Sequence, residues 1–121
     1  LVPGAIGARL THFPKDMGLD HNYAISRDQH GAIVPAAILE NKKTGRVLQL
    51  FTDQPGIQVY TANYWDGTIT GQQGKPYVKH GAVALETQAF PDSPNHPHFP
   101  DTILKPGEAY RTVTIYEFGV Q

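Results

Sequence analysis

The chain has 121 residues, ten Lys and Arg against eleven Asp and Glu, a formal net charge of −1, and no cysteine. Its length limits it to one domain at most, and a near-neutral balance gives no electrostatic reason to bind nucleic acid or an anionic membrane. Without cysteine, disulfides, thiolate catalysis and Cys-based zinc sites are excluded. Charged residues make up 17%, and the chain carries 12 Gly and 10 Pro. That composition favours a turn-rich β protein over a helical or disordered one. No apolar run approaches the roughly 20 residues of a membrane span. The opening Leu1-Val2-Pro3-Gly4-Ala5-Ile6-Gly7 lacks the basic start and apolar core of a signal peptide, and with no initiator Met the chain is expected to begin at a cut or where a peptide sequence begins.

Residues 1–19 read as a loop with one short strand near Ala5 to Leu10. Asp20 to Arg27 alternates, with His21, Tyr23 and Ile25 on one side and Asp20, Asn22, Ala24 and Ser26 on the other, which predicts a strand with a polar face. Ala32 to Asn41 is a second strand. Pro35 inside it has no N–H for a ladder, so an edge position or a bulge is expected. Lys42-Lys43-Thr44-Gly45 is a turn with Gly45 free to take positive φ. Arg46 to Thr52 returns as the partner strand of a hairpin.

Asp53-Gln54-Pro55-Gly56 predicts a type II turn with Pro-Gly at its centre. Ile57 to Asn63 follows as a strand, Ile57, Val59 and Thr61 on one face and Gln58, Tyr60 and Ala62 on the other. Tyr64 to Pro76 is a polar, Gly-rich excursion of the kind that carries ligand contacts. Val83 to Gln88 alternates again. Val83, Leu85 and Thr87 share one face; Ala84, Glu86 and Gln88 share the other, so Glu86 is an acid on a polar strand face beside a small residue. Phe90 to Pro106 holds Pro91, Pro94, Pro97, Pro100 and Pro106, a spacing no helix is expected to survive; it reads as a structured crossing loop. Pro106-Gly107 is a further turn, and Tyr110 to Phe118 is the final strand. No repeat, low-complexity tract or helix emerges. Many short strands separated by turns indicate an all-β sandwich or barrel.

Leu85-Glu86-Thr87-Gln88, Phe90-Pro91-Asp92-Ser93-Pro94-Asn95 and Leu104-Lys105-Pro106-Gly107-Glu108-Ala109-Tyr110 follow one another in a way that resembles the C-terminal end of the aldose 1-epimerases (galactose mutarotases). Gly18-Leu19-Asp20-His21-Asn22-Tyr23 and Gln54-Pro55-Gly56-Ile57-Gln58-Val59-Tyr60-Thr61-Ala62-Asn63 agree with the same family. The resemblance runs in order from about Gly18 to Phe118. It implies an antiparallel β-sandwich of the galactose mutarotase type, of which residues 1–121 are the C-terminal part of a single domain. Taken alone, such a part leaves strand edges and an apolar face uncovered. It is expected to need the missing N-terminal portion, a second chain or self-association.

The family's reaction, implied for this chain by the resemblance, interconverts the α and β anomers of free hexoses such as galactose and glucose in the cytoplasm, without a cofactor. A base takes the proton of the anomeric hydroxyl and an acid protonates the ring oxygen. The ring opens, the aldehyde end rotates, and closure delivers the other anomer. By resemblance Glu86 is the base, and Asp20 and Gln58 hold sugar hydroxyls. An ionised carboxylate can accept from two hydroxyls, and an amide both donates and accepts. Read without the motif, Glu86 is a solvated strand carboxylate, Asp20 a strand-start residue and Gln58 a sheet amide satisfied by its neighbours. His21 points to the face opposite Asp20 and reads as a packed or hydrogen-bonded histidine. Tyr64 and Trp65 read as loop anchors, with sugar stacking as the alternative. His96-Pro97-His98 has a spacing that can converge on a metal, but its Pro-rich setting and the lack of a companion carboxylate leave no metal site expected, and His80, His12 and His30 add none. The family's general-acid histidine, a second active-site histidine and a substrate arginine lie in its N-terminal part, and no segment here matches them. Two other classes of function compete: a non-catalytic sugar-binding or interaction module with the same fold, and a structural fragment held in a larger assembly.

Overall fold

A computed structural model describes residues 4–10, 12–13, 18–29 and 31–121. The loop reading of residues 1–3, 11 and 14–17, and the reading of His30, lie outside them. The described chain is almost entirely β. Its strands are β1 Asp20–Ala24, β2 Val34–Asn41, β3 Arg46–Thr52, β4 Gly56–Tyr60, β5 Asp66–Thr70, β6 Pro76–Val78, β7 Ala84–Gln88 and β8 Thr114–Val120. They form three sheets with the orders β1-β4-β7, β2-β3-β8 and β5-β6. The chain divides into two compact units, residues 1–22 with 58–86 and residues 23–57 with 87–121.

The second unit is built on the β2–β3 hairpin. Its turn is fixed by Asn41, whose carbonyl accepts from the Gly45 N–H at 2.8 Å and whose side-chain oxygen accepts from the Lys43 N–H at 3.0 Å. Gly45 takes φ +70°, and a Cβ there would stand 2.3 Å from the Gln121 carbonyl oxygen. Pro35 fulfils both expectations. It lies on edge strand β2, and the antiparallel register slips between Pro35 and Ala37 as a bulge. Strand β8 closes the sheet antiparallel to β3. Leu50 and Thr52 are fully buried, with Val47 and Ile57 close behind.

Three expectations for this unit need correction. The bend at Asp53–Gly56 is not a type II turn, because Gly56 is absent from the residues with positive φ and enters β4 directly. The Arg27 guanidinium holds the bend instead, donating to the carbonyls of Ala32 (3.2 Å), Asp53 (2.7 Å) and Gln54. The last strand begins at Thr114, not Tyr110. Before it, Asp53 replaces the ladder: its Oδ1 accepts from the Val113 N–H at 2.9 Å and from the Thr112 hydroxyl at 3.1 Å. Inside the proline-rich loop, Ser93–Asn95 forms one 3₁₀ turn. The loop is structured, as expected: the buried Ser93 hydroxyl donates to the Phe90 carbonyl at 2.6 Å, and the Phe90 and Phe99 rings meet edge-on at 5.1 Å. At Pro106-Gly107, Gly107 takes φ +88° and the Glu108 N–H donates to the Lys105 carbonyl at 3.0 Å, so this predicted turn forms.

In the first unit, Ile6–Leu10 is a short helix, α1, rather than the expected strand. Ala8, Arg9 and Leu10 are good helix formers. The excursion after Tyr64 is also more regular than expected, since β5 and β6 pair as an antiparallel hairpin. Trp65 stacks on Tyr77 at 4.8 Å to brace it.

Candidate active site

The site begins with a clamp between the start of β1 and the end of β4. The Leu19 N–H donates to the Thr61 hydroxyl at 2.9 Å, and the Thr61 N–H donates to the Leu19 carbonyl at 3.1 Å. Asn63 Nδ2 donates to the same carbonyl at 2.8 Å, and the Thr61 hydroxyl donates to Asn63 Oδ1 at 2.7 Å. All three residues are buried, so the network is shielded from competing water. Gly18 permits it, because a Cβ there would lie 2.3 Å from both Asn63 Oδ1 and Thr61 Oγ1. His80 closes the clamp from outside, with Nδ1 at 2.9 Å from the Thr61 carbonyl. A carbonyl can only accept, so Nδ1 carries the proton.

This clamp sets the register of the two strands. Thr61 bonds to Leu19 at one end of the pair, and the Ile25 N–H donates to the Pro55 carbonyl at 2.8 Å at the other. As one strand advances the other recedes, so β1 and β4 run antiparallel, with Asn22 opposite Gln58 and Asp20 opposite Tyr60. Both are non-hydrogen-bonded pairs, in which Cα atoms stand about 4.5 Å apart and side chains lie closer together. Asp20 and Asn22 therefore share a face with Gln58 and Tyr60. Gln58 reaches diagonally across it, its Nε2 donating to Asp20 Oδ1 at 2.8 Å. Two polar atoms on this face, Asn22 Nδ2 and Gln58 Oε1, are buried and have no hydrogen-bond partner among the described residues.

Glu86 sits on β7, the strand on the other side of β4. The Thr87 hydroxyl meets the Thr114 hydroxyl at 2.6 Å, and successive strand residues face opposite ways. Glu86 is the one exposed residue of its strand. It makes no hydrogen bond with a described residue. The structure thus joins Asp20 and Gln58 directly and puts Glu86 on the neighbouring strand.

A profile of the family described as Aldose 1-epimerase matches residues 5–117. The chain belongs to the aldose 1-epimerase family. It is similar to the galactose mutarotase of Bos taurus, 42% identical over 118 residues that cover 98% of this chain and 34% of the relative. It is similar to the galactose mutarotase of Homo sapiens, 41% identical over 120 residues, with 98% of this chain and 34% of the relative covered. The aldose 1-epimerase of Escherichia coli (strain K12) is 35% identical over 106 residues, 86% of this chain and 30% of the relative. The chain spans about a third of the length of these curated relatives. Its antiparallel all-β structure is that of a fragment of the mutarotase β-sandwich.

Within this aldose 1-epimerase fragment the remaining candidates separate clearly. His21 is hydrogen-bonded but exposed rather than packed: its ring lies 5.0 Å from Phe13 and its Nδ1 accepts from the Asp20 N–H at 3.1 Å. Trp65 is the anchor that its position suggested. Tyr64 is 65% exposed and stacks on Tyr60 at 6.2 Å, which sets an aromatic surface beside the face that holds Asp20. His96 pairs with Asp92 at 3.1 Å, and its ring and that of His98 lie against Phe99. Among the described residues no group of three or more His, Cys, Asp or Glu is placed to hold a metal. The sequence reading put Asn22 on the polar face without singling it out. It stands opposite Gln58, and the alternation within one strand carries no information about that.

Proposed function

We propose that this chain carries the base and part of the sugar site of an aldose 1-epimerase that interconverts the anomers of free hexoses such as galactose and glucose in the cytoplasm. The observation that supports this most is the 2.8 Å bond from Gln58 Nε2 to Asp20 Oδ1, on a sheet whose next strand presents the unpaired Glu86. The bond occupies one lone pair of Asp20 and leaves the rest of the carboxylate to accept from sugar hydroxyls. Glu86 takes the anomeric hydroxyl proton as the bond from the anomeric carbon to the ring oxygen breaks. An acid from outside this chain, in the N-terminal portion or a second chain, protonates the ring oxygen. On closure the hydroxyl formed from the ring oxygen attacks the aldehyde carbon and returns its proton to the acid, while Glu86 returns its own to the anomeric oxygen, so both groups are restored and no cofactor is consumed.

The test is calorimetric titration of the chain with galactose, run beside polarimetry on fresh α-D-galactose. The expected result is weak binding that Asp20→Ala abolishes, with an optical-rotation rate equal to buffer. Adding the N-terminal two-thirds of a related galactose mutarotase is then expected to raise the rate. Failure to bind galactose or glucose overturns the reading. The alternative is a non-catalytic sugar-binding module with the same fold. Sugar binding with no turnover in the complemented mixture would favour it.

A further inference from the structure

A hydrogen-bonded antiparallel pair exchanges two bonds, each residue's N–H to the other's carbonyl. Leu19 and Thr61 make one of the two in the regular way. The Thr61 N–H donates to the Leu19 carbonyl at 3.1 Å, but the Leu19 N–H donates to the Thr61 hydroxyl at 2.9 Å. The Thr61 carbonyl is engaged elsewhere, by His80 Nδ1 at 2.9 Å. The next carbonyl, that of Ala62, accepts from the His80 N–H at 3.1 Å. One residue thus holds two successive carbonyls just past the end of β4, one with its ring and one with its backbone.

The backbone is strained where these bonds are made. His80 has φ +58° and Ala62 φ +50°, the left-handed region in which a Cβ crowds its own backbone. Glycine takes that region freely, and Gly81 stands one place along, yet position 80 carries an imidazole. Its ring lies against the clamp, since a Cβ on Gly18 would come within 2.9 Å of His80 Cε1. Such strain persists only where surrounding contacts impose it, and here they are the bonds to Thr61 and Ala62. We infer that His80 is a positioning residue of the sugar site: by drawing the Thr61 carbonyl out of the ladder, it ends the regular β1–β4 pairing one residue before Asp20 and sets where that carboxylate meets Gln58.

Released from His80, the Thr61 carbonyl would turn back to the Leu19 N–H and add one regular rung to the ladder. The Leu19 peptide would turn with it, and Asp20 is joined directly to that peptide. The 2.8 Å bond from Gln58 Nε2 to Asp20 Oδ1 depends on distance and angle, so the turn loosens it. His80 therefore acts on the sugar through Thr61, Leu19 and Asp20. It is itself exposed, whereas Thr61 is buried, so removing its ring opens no hole in the core. This inference rests on the sugar-site reading for its consequence, though not for its geometry.

The first experiment needs no variant and no sugar. In the isotope-labelled chain, the His80 nitrogen shifts are expected to show the proton on Nδ1, with no through-hydrogen-bond coupling between the Leu19 amide nitrogen and the Thr61 carbonyl carbon. That coupling in the unaltered chain overturns the inference. The second compares His80→Gly, which removes the ring, suits the left-handed backbone and keeps the N–H to Ala62, with His80→Asn. Asn tolerates the same conformation, and its Nδ2 can stand where Nδ1 stood. In the Gly variant the Leu19–Thr61 coupling is expected to appear and the Gln58 side-chain amide protons to exchange faster. Galactose binding is expected to weaken about 10-fold, the effect of roughly one hydrogen bond, while the urea midpoint stays level or rises. A role in stability alone would lower the midpoint and leave Gln58 unmoved. Asn is expected to restore the unaltered behaviour throughout. Unchanged Gln58 exchange in the Gly variant, or no rescue by Asn, overturns the inference. If none of the three proteins binds galactose but coupling and Gln58 exchange respond as expected, the proposed function is refuted and the placement of Asp20 by His80 stands.

Discussion

At the scale of single residues, the site and its supports make separate demands. Glu86 makes no hydrogen bond with a described residue, so replacing it should disturb chemistry and little else. In the complemented enzyme, Glu86→Gln is expected to lower kcat about 10²- to 10⁴-fold, the range for a general base, with KM changed less than threefold. Steady-state polarimetry across galactose concentrations checks this; near-normal kcat would remove Glu86 from the role. Asp53 is a structural carboxylate. Burial works against its ionised form, but the N–H of Val113 and the hydroxyl of Thr112, helped by Gln54, outweigh it and hold its pKa below the usual 3.8. A depressed carboxylate stabilises the fold fully above its unfolded value and loses that contribution as pH falls through the lower folded value. Between pH 6 and pH 3, wild-type protein should therefore lose more stability than Asp53→Asn. Urea unfolding across that range decides it, and parallel curves for the two proteins would refute it.

At the scale of elements, each strand is held by something different, and this decided how much could be read from sequence. The β2–β3 hairpin was fully legible. Its turn residues, its alternation and the bulge-forming Pro35 all act within a few residues of one another. Strand β7 was legible for the same reason. The β5–β6 hairpin was not, since Asp66–Thr70 offers one aliphatic side chain, Ile69, and that is exposed; its pairing rests on backbone bonds and on Trp65 against Tyr77. The start of β8 was misread because the Asp53 side chain, distant in sequence, satisfies Val113 where a ladder would otherwise begin. The bend before β4 was misread because Arg27 takes over the work of a left-handed glycine. Arg27→Ala should therefore release three carbonyls at once. It is expected to cost about 2–3 kcal/mol, the effect of several charge-assisted bonds to partly buried groups, measured as a fall in urea midpoint. For the candidate site, Asp20, Gln58 and Glu86 were singled out through motifs, whereas the placement of Asn22 opposite Gln58 depends on a register set by Leu19 and Thr61.

At the scale of the whole molecule, the chain buries little and shows much. Phe118 is 81% exposed, Val120 77% and Ile38 70%, and β8 is an edge strand whose outer backbone groups are unpaired within its sheet. Leu39, Leu48 and Phe118 stand abreast across β2, β3 and β8, an apolar row of the kind that recruits another chain. Sedimentation velocity is expected to show association that grows with concentration. Ile38→Lys combined with Phe118→Lys should shift the chain toward monomer without weakening galactose, since neither residue belongs to the proposed site. Unchanged association in that variant would place the contact elsewhere. The clamp between Leu19 and Thr61 bears on how the molecule comes into being. It joins residues 42 positions apart, and the whole β2–β3 hairpin lies in the loop it closes. Closing so long a loop costs entropy that local contacts do not, and hairpins form within microseconds. The hairpin needs only its own turn, so it is expected to form before the Leu19–Thr61 clamp that positions Asp20 and Gln58.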